Sequence, residues 1–565
     1  MISTFSTLVM PTVGAADFIS SGSTGGIAIA MVIYFVAMIL IGIYGYTRTQ
    51  TMDDYMVGGR SLPPLVAALS AGAADMSGWL MMGLPGALYL SGLVESWIAI
   101  GLLIGSWCAW KWVAPRLRSY SQIAGDSITV PSFMSARLKD NRFVIQLVAG
   151  IIILFFFTIY VASGMVAGGV FFESIFGVHY HVGMVIVAGV VILYTLVGGF
   201  LAVSWTDMVQ GIMMLIALLL VPVFGIVALG GLGVMGSTLS GLEGQVMGDA
   251  TFSFSMLGSG AAAKVSILNG FAWGLGYVGM PHVIVRYMAL RSPKEAVAAR
   301  RLGIGWMFLC VLGATMTALI GRALSEKGLA GIKESLDRVK VNPQESIYLV
   351  MGEKLFPAVL AGFMLAAILA AIMSTVSSQL LVTSSAVVED IYRGIKKKRL
   401  LGAKGINTGR MVVLAISVIA AFFAWFRTDS ILGLVAFAWA GFGAAFGPVI
   451  LLCLYWRKYT WQGAAAGMAV GAITVGIWGN IPDEVFGLFQ VYEILPGFLL
   501  NLLVSWLVSR ATYKPNKEID EEFDLAIKLA SATQEEINSA LQGRKVTPVT
   551  VTPFAEVESE AQASS

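Results

Sequence analysis

Apolar stretches of about 20 residues recur from one end of this sequence to the other, each long enough to cross the ~30 Å hydrocarbon core of a bilayer as a helix. About thirteen are present, near 25–46, 64–91, 96–115, 144–171, 182–199, 207–230, 264–284, 302–322, 356–387, 410–426, 430–455, 461–480 and 489–509, with spans 5 and 6 nearly continuous. A soluble domain cannot hide so much apolar surface. Hydrophobic residues fill 57% of the 565 positions and charged ones only 12%, a composition that suits a bilayer. The expected fold is an all-α integral membrane protein with about 13 transmembrane helices, forming one membrane domain over 25–510.

Polar segments flank that domain. Residues 1–24 carry no Lys or Arg, so they lack the basic start of a signal peptide, and span 1 is expected to be a retained helix. Basic residues collect in alternate loops: Arg48 and Arg60; Lys111 to Arg142; Arg286, Arg291, Lys294, Arg300 and Arg301; Arg393 to Lys404; Arg457 and Lys458. Because basic loops stay cytoplasmic, an odd number of spans puts the N-terminus outside the inner (cytoplasmic) membrane and the C-terminus inside. Residues 323–355 should lie outside yet mix Lys327, Lys333 and Arg338 with Glu326, Glu334 and Asp337, as a folded external segment would. Residues 511–565 are a polar, acid-rich tail, expected to be cytoplasmic, with one amphipathic helix around Glu518–Leu541 and about twenty disordered residues at its end.

Several function classes have no support. No Gly-rich loop is followed by Lys-Ser/Thr, so nothing suggests ATP as the driving force, and no catalytic motif suggests an enzyme. Cys108, Cys310 and Cys453 fall inside spans without metal spacing and read as small buried thiols. His179 and His181 share a short loop with no metal pattern, and a net charge of +3 gives no reason for a nucleic-acid partner.

Two spans are not smooth apolar helices. Span 2 is crowded with Gly, Ser and Ala around Asp75, and span 7 is broken by Gly274, Gly276, Gly279 and Pro281. Glycine and proline make unwinding easier, and unwound backbone survives at membrane depth only where it lines a cavity. A matched pair of interrupted spans points to a transporter site built from discontinuous helices. Spans 2 and 7 lie five apart, so spans 2–6 and 7–11 would run in opposite orientation, an inverted repeat of the LeuT type.

Asp75 is either an ion-linked carboxylate or a structural one held by neighbouring serines and backbone; at the bilayer centre it needs a cavity, a partner or an ion path. Ser374, Thr375, Ser377 and Ser378 cluster in span 9; such hydroxyls suit a hard cation, and equally suit ordinary helix packing. Trp79, Tyr160, Trp273 and Tyr277 could wall a small amphipathic solute, or anchor and pack the helices.

The stretches DDYMVGGRSL (53–62), ALSAGAADMSGWLMMGLPGALYLSGLVESWIAIG (68–101), FFTIYVASG (156–164), GGFLAVSWTDMVQ (198–210), WGLGYVGMPHVIVRYMA (273–289), ILAAIMSTVSSQLLVTSSAVVEDIY (368–392) and FAWAGFGAAFGPV (437–449) together resemble the solute:sodium symporter family across about 50–455. The resemblance implies sodium-driven import, with L-proline the expected solute, Na+ the coupling ion and no cofactor. It implies sodium ligands at the carbonyls of Ala73, Met76 and Ala371 and the hydroxyls of Ser374 and Thr375, and a sodium-linked role for Asp75. Substrate contacts are implied at Ser77, Gly78, Trp79, Tyr160, Trp273, Tyr277 and Pro281, and coupling roles at Arg60 and Asp207. Ala74 stands where the family pattern has serine, and Ser378 where it has cysteine. Rival readings are a sodium symporter for another small solute (a vitamin acid, sugar or carboxylate) and a transporter-like sensor signalling through its tail.

Overall fold

The computed structural model describes residues 24–48, 58–197, 199–248, 250–258, 260–339, 341–396, 400, 402–426, 429–481 and 490–542. Residues 1–23 and the end of the tail, where disorder was expected, lie outside the described residues.

Helix occupies all thirteen apolar stretches. Among the described residues, eight helices are long and apolar enough to cross a membrane, or nine if the bent pair Pro64–Asp75 and Trp79–Ser91 is one span. The stretches near 25–46, 182–199, 264–284 and 461–480 are helical too, but shorter, broken or richer in small residues. The chain is not purely α: Val246–Met247 pairs antiparallel with Ala250–Thr251 in a small hairpin. Residues 323–355 are folded as expected, with helices at Ile332–Leu336 and Ile347–Lys354.

Burial sorts the helices by role. The apolar windows of Ala358–Lys396 and Ile431–Tyr455 are 83% buried, against 28% for Lys404–Trp425. The first two are therefore surrounded by protein, whereas the last exposes Val418, Phe422 and Phe423, as a lipid-facing helix does. Both broken spans pack against the enclosed pair.

Small residues allow that packing, because helices in lipid associate through close van der Waals contact rather than a hydrophobic drive. Helix Ser96–Cys108 crosses the second broken span with glycine against glycine. A Cβ on Gly105 would lie 2.2 Å from the Gly274 carbonyl oxygen, and one on Gly101 2.2 Å from that of Gly270.

The two broken spans also meet at one end of the bundle. The Leu62 N–H donates to the Ala289 carbonyl (3.1 Å) and the Arg291 N–H to the Leu62 carbonyl (3.2 Å). The tail docks at this end. The single amphipathic helix expected over 518–541 is instead two, Lys517–Lys528 and Gln534–Leu541. Thr533 starts the second with a capping box to Glu536, which serves the N–H groups left open at a helix start. Phe523, Ala526, Leu529 and Ile537 are buried. Lys139 pairs with Glu518 (2.9 Å) and Glu522 (2.7 Å), and Arg457 with Asp524.

Gly105→Val places side-chain atoms against backbone that cannot step aside, so it is expected to destabilise the fold by about 1–3 kcal/mol and lower the melting temperature in detergent. Melting unchanged from wild type would mean that the crossing has slack.

Candidate functional site

Helix Pro64–Asp75 opens with proline at its first position, where the missing N–H has no helical partner to lose. It stops at Asp75, because Met76 leaves helical space (φ −81°, ψ 77°). The Met76 N–H still donates to the Gly72 carbonyl (2.8 Å), but the Ser77 N–H turns to the Asp75 carbonyl (3.0 Å). In a continuing helix that donor would serve Ala73, so the Ala73 carbonyl is released from the ladder.

A released carbonyl at membrane depth needs another donor. Helix Ala358–Ser385 supplies two: Ser374 Oγ donates to the Ala73 carbonyl at 2.8 Å and Thr375 Oγ1 at 3.3 Å. Ser374 Oγ also lies 3.0 Å from the Ala371 carbonyl. Ala73, Ala371, Ser374 and Thr375 are thus brought together, with Met76 in the adjoining turn. The hydroxyl cluster divides: Ser377 bonds back to the Ser374 carbonyl (3.1 Å), and Ser378 faces a different group.

Asp75 is fully buried. Its Oδ2 accepts from the Tyr277 hydroxyl, which ties one break to the other, while Oδ1 has no partner among the described residues. The Asp75 carbonyl accepts from Trp79 Nε1 at 2.9 Å.

The second broken span runs Gly260–Ala272, then a tighter 3₁₀ turn Trp273–Val278, then Pro281–Met288 after the extended Met280. Trp273 lies between aromatic neighbours, with ring centroids 6.2 Å from Trp79, 6.1 Å from Trp439 and 5.4 Å from Tyr492. Tyr277 meets Trp439 edge-on at 5.3 Å, and Trp439 Nε1 donates to the Trp273 carbonyl at 2.8 Å. Gly276 makes room for that indole, since a Cβ there would lie 1.9 Å from Trp439 Nε1. Tyr160, from helix Val144–Phe176, faces this corner, with its hydroxyl beside Ser77 and Trp79. Gly78 packs tightly, with a Cβ there 2.9 Å from that of Ala167. Pro281 heads its helix at the edge of the group.

Arg60 and Asp207 belong to other clusters. Arg60 sits at the end where the broken spans meet, donating to Ser121 Oγ (3.0 Å) and to the Met288 (3.0 Å) and Ser127 (2.7 Å) carbonyls, and pairing with Asp126 (3.0 Å). Asp207 forms a buried ion pair with Arg286 (3.0 Å) and accepts from Ser70 (2.8 Å). Arg286 also donates to Ser70 (3.1 Å), Ser378 (2.6 Å) and the His282 carbonyl. Its charge suggested a loop; instead it lies within helix Pro281–Met288 and is buried, because Asp207 neutralises it.

Arg286, Trp439, Tyr492 and His282 were not among the expected site residues. Only Arg286 carried a usable signal, as a lone cation within an apolar run opposite an equally lone Asp207. No group of three or more His, Cys, Asp or Glu residues that could hold a metal ion occurs among the described residues.

Asp207→Ala leaves the Arg286 charge buried and unpaired, which is expected to destabilise the protein by roughly 3–5 kcal/mol. The double variant Asp207→Leu with Arg286→Met should melt above the sum of its singles in a detergent thermal-shift cycle; additive losses would mean the pair is not coupled.

Compared with known proteins, the chain matches the model of the Sodium:solute symporter family over residues 55–471. It is 49% identical over 487 residues to the high-affinity proline transporter PutP of Bacillus subtilis (strain 168), covering 86% of this chain and 98% of that protein. It is 44% identical over 507 residues to the sodium/proline symporter of Staphylococcus aureus (strain JH9), covering 88% and 94%. Among solved structures it is similar to a Na+-coupled sialic acid symporter in a substrate-bound outward-open state, with a TM-score of 0.70 at 19% identity over 87% of this chain and 99% of that one. At that identity the likeness speaks for the fold alone.

Proposed function

The chain belongs to the sodium:solute symporter family, and on that premise we propose that it is a secondary active symporter importing L-proline across the cytoplasmic membrane by alternating access, driven by the sodium gradient. The observation that carries this reading is the Ala73 carbonyl, freed by one helix break and held by Ser374 and Thr375. The two proline-transporting relatives support the substrate.

The thirteen helical stretches then cross the membrane with the N-terminus outside and the tail in the cytoplasm. Spans 2–6 and 7–11 form a LeuT-type inverted repeat around the two breaks. The end fastened by Arg60 and covered by the tail is the cytoplasmic one.

Sodium is a hard cation and takes oxygen ligands. The carbonyls of Ala73, Met76 and Ala371 and the hydroxyls of Ser374 and Thr375 supply five without net charge. An ion there replaces the two hydroxyl-to-carbonyl bonds and draws span 9 onto the first break. Asp75 fixes that break through its bond to Tyr277, so ion occupancy reaches the second broken span and the aromatic wall of Trp79, Trp273 and Tyr277. Ser77, Gly78, Tyr160 and Pro281 complete the substrate contacts. Release inward requires the Arg60 fastening to open, while Asp207 holds span 6 to the second broken span through Arg286. A membrane potential of about 100 mV adds roughly 2.3 kcal/mol per sodium charge moved fully inward.

Purified protein in proteoliposomes should accumulate labelled L-proline saturably under an inward sodium gradient and fail to do so without one. Accumulation indifferent to sodium, or of another solute in preference to proline, would sink the assignment. Ser374→Ala with Thr375→Ala should raise the half-saturating sodium concentration about tenfold or more, with the maximal rate at saturating sodium largely kept. Sodium dependence like that of wild type would remove those hydroxyls from the ion site.

A further inference from the structure

The tail ties together two groups of helices at the end where the broken spans meet. It leaves the membrane domain from helix Ile494–Thr512, which packs on Ile431–Tyr455, the helix that supplies Trp439 to the aromatic corner. Arg457, just past that helix, pairs with Asp524 of the tail. Lys139, ahead of helix Val144–Phe176 and its Tyr160, pairs with Glu518 and Glu522. Helix Lys517–Lys528 is thus held to the first group by the chain itself and by ion pairs.

From there the tail crosses to the second group. The Ala526 carbonyl accepts from Ser119 Oγ at 3.0 Å, the Ala532 carbonyl from the Lys294 N–H at 3.2 Å, and Gln534 Oε1 from Arg118 at 2.7 Å. Gln534 also donates to Gln122 Oε1 at 3.2 Å, and Ile537 is fully buried. Arg118, Ser119 and Gln122 belong to helix Ala114–Ile123 at the end of span 3, and span 3 is the one whose glycines cross the second broken span. Lys294 joins that broken span to helix Ala296–Glu326. Arg118 also donates to the Leu290 and Arg291 carbonyls, beside the Leu62 bonds that link the two broken spans. Arg60, Arg118, Gln122, Asp126 and Gln534 line one cavity of about 260 Å³, so the tail borders the same space as the Arg60 fastening.

The two attachments differ in how easily they yield. The first includes covalent chain, whereas the second is a few hydrogen bonds, each of modest net worth, and a small apolar contact. If the groups part at this end, the second attachment gives way first. Resting on the inward release proposed above, we propose that the tail is a strap across the cytoplasmic gate. Helix Gln534–Leu541 is docked on Arg118, Gln122 and Lys294 while the inner side is closed, and lifts from them each time the symporter opens inward. The strap therefore sets the balance between closed and inward-open forms, and through it the apparent affinity for external substrate.

The test uses the full-length chain in proteoliposomes with labelled L-proline. Gln122 and Gln534 are both half-buried, so a reagent reaches them. Gln122→Cys with Gln534→Cys is joined by a short bis-methanethiosulfonate, with the native chain treated alike as control and the linked fraction measured by peptide mass analysis. The linked protein should lose about tenfold or more of its uptake rate, keep sodium-dependent proline binding in detergent within about twofold, and regain uptake when dithiothreitol cleaves the link. Undiminished uptake by linked protein overturns the proposal, as does an equal loss of binding, which marks a distorted site. Ile537→Asp loosens the strap by placing a charge in its buried contact. Half-saturating external proline should then rise about threefold or more, because a smaller fraction of the protein faces outward. A wild-type value in well-expressed Ile537→Asp overturns the proposal. If the link does not form, or the reagent inactivates the native chain, Ile537→Asp decides; if that variant does not reach the membrane, the linked protein decides. Failure of the native chain to accumulate proline under sodium overturns the import reading on which this rests; the other adverse outcomes overturn the strap alone.

Discussion

Backbone polar groups at membrane depth must find partners inside the protein, because hydrocarbon offers none. A helix can therefore be interrupted there only if another element collects the groups it drops. In this protein that element is helix Ala358–Ser385, whose Ser374 and Thr375 take the Ala73 carbonyl released when the Ser77 N–H turns to Asp75. The break and the hydroxyl pair are meaningful only together. Thr383 and Ser385 of the same helix bond their own preceding turn, at Gln379 and Leu381. Ser374 and Thr375 are the two that reach the break itself.

The second break obeys the same rule by a different route. Its tight turn brings Trp273 and Tyr277 to one corner, and the Trp273 carbonyl is satisfied by Trp439 Nε1. That bond requires the indole to lie against the backbone of Gly276, where a side chain would collide with it. One residue thus serves as wall, hydrogen-bond donor and packing surface. The Asp75–Tyr277 bond then joins the breaks, so neither can move far without the other. Aromatic rings packed this way give a rigid apolar boundary, and the few polar atoms left among them set orientation.

What could be read from sequence follows from how local each feature is. Both breaks were legible because glycine and proline act on their own backbone, and Asp75 and the Ser374–Thr375 pair stood out as polar residues in apolar runs. The membrane class and the helical stretches followed from apolar length. Partner choice was not legible. Arg286 looked like a loop charge because its neutralising carboxylate, Asp207, is 79 residues away. His282 and Trp439 look like ordinary interior residues of apolar segments until the fold sets them beside the breaks. The tail was expected as one amphipathic helix, whereas it turns after Lys528 and restarts at the capping box of Thr533 and Glu536.

Span 9 meets the first broken span twice, about one helical turn apart. Ser374 touches the Ala73 carbonyl, and four residues on, Ser378 accepts from Arg286, which also bonds Ser70 of the broken helix. Residues four apart share a helix face, and Ser70 and Ala73 are likewise three apart. The upper contact is between neutral groups and is readily exchanged for contacts to a cation. The lower contact involves a buried ion pair, whose separation would leave charges unpaired in a poorly polarisable interior. Motion between these helices is therefore cheapest as a tilt about the Arg286–Asp207 pair, opening or closing the Ala73 end. Because Arg286 sits on the second broken span, that tilt is shared by both breaks.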